Sequence, residues 1–477
     1  MFFAYFSMAI VVLLLALYLQ DRRQKEHTIR RNFPVLGRMR YGLERLGVFL
    51  RQYLYANDEE ERPFNRITRA WVYESAKGKG GTIGFGSELE INRPGMILFA
   101  NSLFPTLEEE RSESKPLAIG GEDSEPFFVK RIVNISGMSY GALSAKAIEA
   151  LSIGAKEAGI WLNTGEGGLA PYHLKGECDL VFQIGTAKYG ARDEKGSLSL
   201  TRLEMLATIV KAFEIKLSQG AKPGKGGILP AAKVTAEIAA IRGIPLGMDS
   251  KSPNRHLDIA NSEDLLQMIA TVRKTTNKPV GIKMVYGAPG DMEELCRIIL
   301  QKGSDYAPDF ITLDGGEGGS GAAPKTLADH VGLSVFESLP WLIDTLNAFG
   351  LRKRIRVVAS GKLITPAAAA WAIAQGADFI NTARGFLFAL GCVQSLRCHT
   401  NTCPTGITTH NPKLTRGLIV EEKAKRVARY GLAINRDIDV IAHSCGLKNA
   451  RALGREHARI VVGFGQSMSL ARRYPMV

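Results

Sequence analysis

Three cysteines fall close together in Gly391-Cys392-Val393-Gln394-Ser395-Leu396-Arg397-Cys398-His399-Thr400-Asn401-Thr402-Cys403-Pro404, spaced C-x5-C-x4-C. They are half of the six cysteines in the chain. A disulfide framework would spread its cysteines through the sequence, so the clustering suits a metal or iron–sulfur site in a reducing compartment. Three thiolates suit a three-iron cluster, because cluster irons are generally held by cysteine. Zinc with His399 as fourth ligand is the rival, although the spacing matches no common zinc pattern. A chance grouping of buried thiols is the remaining alternative.

Four glycine-rich turns carry the next signal: Ser136-Gly137-Met138-Ser139-Tyr140-Gly141, Asn163-Thr164-Gly165-Glu166-Gly167-Gly168, Ser218-Gln219-Gly220-Ala221-Lys222-Pro223-Gly224 and Asp314-Gly315-Gly316-Glu317-Gly318-Gly319. One such turn merely reverses a chain. Four at successive strand ends expose backbone N–H groups to a common space, which suits a flavin ring and its phosphate. Lys283 lies inside the apolar run Gly281-Ile282-Lys283-Met284-Val285. A buried ammonium there needs a partner, and the N1–O2 edge of a reduced flavin is one; the alternative is an outward lysine that snorkels between helices. Ser360-Gly361-Lys362 and Thr382-Ala383-Arg384-Gly385 stand where a barrel's phosphate site usually lies, after the seventh and eighth strands.

The elements that must position these residues repeat as an apolar run, a polar or glycine-rich turn and a helix. Eight runs are predicted as strands: Ile132–Ile135, Trp161–Leu162, Val181–Ile184, Phe213–Leu217, Val280–Val285, Phe310–Leu313, Ile355–Val358 and Phe379–Ile380. Helical stretches such as 145–157, 262–274 and 366–375 separate them. The pattern predicts an α/β fold, a (β/α)8 TIM barrel with ligand groups at the C-terminal strand ends. Residues 218–262 are too long for an ordinary connection and are expected to hold functional machinery. Residues 127–412 form the barrel domain in this reading, 21–126 a juxtamembrane helical and small cap region, and 413–477 a basic helical extension.

Residues Phe2 to Leu19 form an apolar run interrupted only by Ser7. As a helix the run is just long enough to cross a membrane. Met1-Phe2-Phe3 lacks the charge of a signal-peptide n-region, and Leu17-Tyr18-Leu19-Gln20 is a poor cleavage site. Arg22, Arg23, Lys25, Arg30 and Arg31 follow. The positive-inside rule therefore predicts a signal anchor over residues 1–20, single-pass in the inner membrane, with the catalytic domain in the cytoplasm. The net charge of +14 fits an anionic membrane or an acidic partner. No zinc-finger spacing or basic recognition helix points to nucleic acid.

Taken together and in order, these motifs over about residues 130–412 resemble the FMN-binding synthase domain of glutamate synthases, especially the short single-domain bacterial branch. The resemblance implies FMN held by Gly137, Met138, Ser139, Lys283, Asp314, Gly315, Gly316, Ser360, Gly361, Ala383 and Arg384. It implies a [3Fe-4S] cluster on Cys392, Cys398 and Cys403. Gln219 and Lys222 match the family's 2-oxoglutarate loop, Arg242 matches the spacing of an arginine that contacts the oxoacid, and Glu166 matches the glutamate of the Thr-Gly-Glu-Gly-Gly turn, so Glu166 and Lys222 inherit catalytic roles. The sequence departs from the family at Lys225 and Ile228, where glutamate and glutamine are usual, and at Ser252-Pro253-Asn254-Arg255-His256. The glutaminase domain and the β-helical domain of the large enzymes are not part of this chain's pattern. The implied activity is reductive amination of 2-oxoglutarate to L-glutamate, with ammonia from solution or a separate glutaminase, and electrons from a ferredoxin or a flavoprotein subunit. Another imino acid or glutamate derivative as acceptor, or a non-catalytic membrane scaffold, are the alternatives.

Overall fold

The computed structural model describes residues 2–475. Runs rich in β-branched and aromatic residues, buried on both faces, pair as parallel strands. They are β1 (Val133–Ile135), β2 (Leu162–Asn163), β3 (Leu180–Ile184), β4 (Ala212–Lys216), β5 (Val280–Met284), β6 (Phe310–Asp314), β7 (Arg356–Ser360) and β8 (Phe379–Thr382). Each lies beside its chain neighbours, and β8 closes on β1 through Ile380↔Val133, giving a closed barrel. All eight predicted runs are strands, their ends displaced by one or two residues. The largest displacements are at β7 and β8, which continue to Ser360 and Thr382. These polar residues stay in the ladder because Ser360 pairs with Asp314 and Asn381, and Thr382 with Ile135.

The outer helices show their stop and start signals locally. The helix Ala145–Ala158 is capped by Ser144, whose Oγ accepts from the Ala147 amide, and ends at Gly159 in the left-handed region. It packs against the helix Val420–Ser444, where a Cβ on Gly154 would come within 2.6 Å of the Ala424 carbonyl oxygen and of Val427. Only glycine allows that crossing.

A hairpin of Leu117–Ile119 and Phe127–Val129 lies under the barrel. Its Ile119, Phe127 and Val129 pack on Trp161, Val181, Ala212, Phe310, Val358 and Phe379, so the N-terminal end is closed by apolar side chains. Residues 413–477 contain the helix Val420–Ser444, after which the chain forms a second hairpin, Ala458–Gly463 with Gln466–Ser469. The β-branched run around Ile460 and a Gly463-Phe464-Gly465 turn favour strands there. The strand Ile97–Phe99 pairs with the hairpin and satisfies one edge.

The chain divides into two compact units, through Arg69 and from Ala70 onward. In the first, the helix Phe2–Arg23 is long and apolar enough to cross a membrane, and none of its apolar length is buried in the protein. Its last turn carries Asp21, which accepts from Arg30 and Arg38, each at 2.7 Å. The helix Gly37–Leu50 and a π-helical turn Arg51–Tyr55 follow.

In the second unit, Asp309 at the foot of β6 is fully buried between Arg273 and Arg354, each at 2.9 Å, and also accepts from the Val280 amide at 2.7 Å. Asp309→Ala leaves two largely buried guanidinium groups without their shared counter-charge. The expected cost is about 3–5 kcal/mol, read as a lowered midpoint in denaturant unfolding; a midpoint within error of the parent would overturn it.

Candidate active site at the barrel mouth

The glycine-rich turns after β1, β4 and β6 emerge at one end of the barrel and line a common cavity there. The 218–262 insertion folds back over this mouth. It carries the paired strands Ile228–Leu229 and Ser250–Lys251 and the helix Ala236–Arg242, capped by Thr235 Oγ1. A Cβ at Gly220 would sit 2.2 Å from the Gly315 carbonyl oxygen, so glycine is required where the insertion meets the turn after β6. The Gly220 amide also donates to Asp314 Oδ2 at 2.9 Å.

The barrel interior below the cavity is polar and satisfied. Glu214 of β4 accepts from Asn163 Nδ2 at 2.8 Å, Gln183 Nε2 at 2.7 Å and Thr312 Oγ1 at 2.6 Å. One step nearer the mouth, Lys216 and Lys283 stand opposite each other on β4 and β5. Two adjacent buried ammonium groups repel, and each has its own carboxylate. Lys216 pairs with Glu166 at 2.6 Å and donates to Gln219 Oε1 at 2.9 Å, while Lys283 lies 3.5 Å from Asp314. Burial pulls the Lys283 pKa down, but Asp314 and Glu214 outweigh it, so the group is held above the usual lysine range. Burial likewise pulls Glu166 upward, yet Lys216, Lys222 and Arg242 bring it down to about 2. Lys222 is 5% exposed, its ammonium makes no hydrogen bond to the described residues, and burial lowers it to about 8 against the pull of Glu166.

Of the residues singled out from the sequence, Gly137, Gln219, Lys283, Asp314, Ser360, Gly361, Ala383 and Arg384 line the cavity. Met138, Ser139, Gly315 and Gly316 belong to the same turns without lining it. Arg384 donates to the Glu317 carbonyl at 3.0 Å, and burial lowers its pKa to about 10. Glu166 reaches the cavity through Lys216. Arg242 is buried behind it, donating to the Tyr140 carbonyl at 3.1 Å and Ser250 Oγ at 3.2 Å, over the Tyr189 ring at 5.2 Å. Its Nε has no acceptor among the described residues. The sequence reading missed Lys216, Glu214 and Gln183. Alternation along Phe213–Leu217 places 214 and 216 on one face with the barrel axis, the same signal that singled out Lys283.

The helix Arg384–Leu390 leads from the cavity wall to the thiol segment. Cys398 and Cys403 lie together beside the Thr408 hydroxyl, which is buried without a well-aligned partner. Burial raises the Cys398 thiol; at Cys403 burial is outweighed by the Thr405 and Thr408 hydroxyls, and the thiol is lowered. Cys392 is held differently: its Sγ accepts from the Gln394 amide at 3.4 Å and its carbonyl from Tyr73 Oη at 2.6 Å. No disulfide joins the cysteines, and among the described residues no three metal-ligating side chains converge. The structure therefore sets Cys398 and Cys403 within electrostatic reach of each other and does not gather the three predicted ligands into one group among the described residues.

A family model described as a conserved region in glutamate synthase matches residues 100–448. The chain is 41% identical to the glutamate synthase large subunit-like protein YerD of Bacillus subtilis, over 94% of this chain and 92% of that one. It is 37% identical to the archaeal glutamate synthase [NADPH] of Methanocaldococcus jannaschii, over 69% of this chain and 61% of that one. Among solved structures, a variant of an active chimera of (S)-mandelate dehydrogenase matches at TM-score 0.50 and 14% identity, over 76% of this chain and 87% of that one, a likeness of fold alone.

With its pKa near 8, Lys222 is charged below that pH and neutral above it. Affinity of the mouth for a dicarboxylate is expected to fall as pH rises through about 8. Lys222→Arg, which stays charged, should move that loss to higher pH. Isothermal titration at pH 7 and pH 9 checks this, and equal wild-type affinities at the two would refute it.

Proposed function

The chain belongs to the glutamate synthase family, and on that premise we propose that it is an FMN-dependent oxidoreductase that reductively aminates 2-oxoglutarate to L-glutamate. The observation that carries the reading is the pair Lys216 and Lys283, which line the cavity balanced by Glu166 and Asp314, with the buried Lys222 within electrostatic reach of Glu166 and Lys216. The glycine-rich turns and the buried Lys283 that line the cavity suit a flavin nucleotide. Gly137, Lys283 and Asp314 would hold the ring, and Ser360, Gly361, Ala383 and Arg384 the phosphate, with Met138, Ser139, Gly315 and Gly316 shaping the same turns. When bound, the flavin supplies hydride to the imino carbon. The protein's own part is binding and proton handling. Lys222 and Gln219 hold the substrate carboxylates by charge-assisted hydrogen bonds, Arg242 adds positive charge and its unpartnered Nε, and the Glu166–Lys216 pair holds a proton at Lys216 Nζ. Ammonia comes from solution or a separate glutaminase, and electrons from a ferredoxin or flavoprotein subunit.

The C-x5-C-x4-C spacing of the thiol segment supports a [3Fe-4S] cluster, although among the described residues no three metal-ligating side chains converge there. The helix Phe2–Arg23 and the basic residues after it support a single-pass anchor with the barrel in the cytoplasm. Full-length, uncleaved chain in a detergent-free soluble fraction would remove that part of the reading. A different imino acid as acceptor is favoured by Lys225 and Ile228, both exposed on the insertion where the family has glutamate and glutamine.

Arg242→Ala is expected to weaken 2-oxoglutarate binding by roughly 2–4 kcal/mol, about 30-fold to 1,000-fold, with flavin content unchanged. The measurement is a 2-oxoglutarate titration followed by flavin absorbance. Absence of any wild-type response at millimolar 2-oxoglutarate would sink the substrate assignment; equal affinities would remove Arg242 from it. For the cluster, Cys398→Ser is expected to abolish bound iron and its paramagnetic signal, and stoichiometric zinc with no iron in anaerobic wild type would contradict the assignment.

A further inference from the structure

The helix Gly37–Leu50 and the turn Arg51–Tyr55 that continues it carry an apolar face that the described residues leave uncovered. Leu36, Met39, Leu43, Leu46, Tyr53 and Leu54 recur at helical spacing and are each 55–70% exposed. A contiguous stripe of that kind marks a contact with another body. The rest of the helix is cationic: Arg40 and Arg51 edge the stripe on one side, Arg38 and Arg45 on the other. From Arg22 to Tyr55 nine basic residues stand against Glu26 and Glu44 alone, so the body that meets the stripe is apolar with an anionic rim. The helix is weak by itself, with three glycines in 14 residues. A Cβ on Gly42 or Gly47 would meet nothing within 4 Å, so no packing inside the protein calls for glycine there. Its stability must come from covering the stripe. Asp21, in the last turn of the apolar helix Phe2–Arg23, accepts from Arg30, from Arg38 and, at 3.0 Å, from the Val35 amide. The first turn of the amphipathic helix is thereby tied to the end of the apolar one, and the two do not run side by side.

We propose that the helix Gly37–Leu50 and its continuation to Tyr55 lie flat on the cytoplasmic leaflet, as a second membrane contact selective for anionic phospholipid. The inference rests on the single-pass anchor of the proposed function. With Phe2–Arg23 across the bilayer, the ties from Asp21 set the start of the amphipathic helix at headgroup level. Its apolar stripe then sinks roughly 5–10 Å into the boundary between headgroups and acyl chains. The flanking arginines lay their stems along that layer and reach the lipid phosphates. The stripe also has the spacing of a coiled-coil seam, which a second copy of the chain would fill. That seam falls short of the roughly three to four heptads such pairing needs, and its flanks would set arginine against arginine.

The test reconstitutes the full-length protein in vesicles of equal parts phosphatidylcholine and phosphatidylglycerol, with and without bromine on the acyl chains, and reads quenching of tryptophan fluorescence. The native Trp71, Trp161, Trp341 and Trp371 all lie outside the first unit and give the background, measured on the unsubstituted protein. Leu43→Trp, on the stripe, is expected to be quenched by brominated lipid, and Val48→Trp, on the opposite face, to remain unquenched. In the Leu43→Trp protein, Arg40→Glu with Arg45→Glu should lower the ratio of bound to free helix by roughly 25-fold, about fivefold for each arginine lost. Arg40→Lys with Arg45→Lys should keep it, which separates charge from misfolding. Equal quenching at positions 43 and 48 would overturn the proposal, as would charge reversal without effect. A blue-shifted but unquenched Leu43→Trp would assign the stripe to a second copy instead. Leu13→Trp, in the middle of the apolar helix, keeps the two readings apart. Quenching there without quenching at position 43 removes only the surface helix, and quenching at neither position removes the anchor as well.

Discussion

Two lysines side by side inside a barrel are an electrostatic problem, and the arrangement of the mouth is its solution. Lys216 and Lys283 face the same space from adjacent strands, so each must be matched locally or lose its charge. Glu166 arrives from the turn after β2, Asp314 from the end of β6, and Glu214 sits beneath both, itself saturated by three neutral donors. Four separate strands thus fix their ends relative to one another through charge. With Glu166 and Asp314 each set beside a lysine, Lys222 is left as the group whose ammonium has no hydrogen-bonded partner among the described residues. A site of that kind binds anions without needing to reorganise.

The same carboxylates shape the covering insertion. Asp314 accepts from the Gly220 amide as well as facing Lys283, so the residue that matches the floor also anchors the loop above it. Arg242, reached only after the insertion has made its helix and its strand pair, donates back to the turn after β1 through Tyr140. The insertion is therefore tied at both ends to the rim. Below, the hairpin closes the barrel with Ile119, Phe127 and Val129 packed on its apolar lining, while the cavity opens at the other end.

Sequence patterning made the barrel legible because eight strands buried on both faces must each be a short apolar run, and because connections that carry ligands need glycine. It also made Lys283 legible, since a lone cation in an apolar strand stands out. Lys216 was hidden by its neighbours: Glu214 and Lys216 alternate with apolar residues, a pattern equally suited to a half-exposed strand, and only barrel closure turns that polar face inward. The hairpin after Ser444 was hidden too, because its edge is completed by Ile97–Phe99, which lies far away in the chain.

The sequence by itself determined the period of the elements, the family, and the residue types at the mouth, since these are local properties of spacing and composition. Tertiary structure alone decided which charges meet. The Lys216–Glu166 pair joins residues fifty positions apart, and Arg242 faces Tyr140 rather than open solvent, because pairing energies depend on distances that only closure of the barrel sets. The thiols show the same division: their spacing is written in the chain, but whether three of them converge is a property of the folded loop.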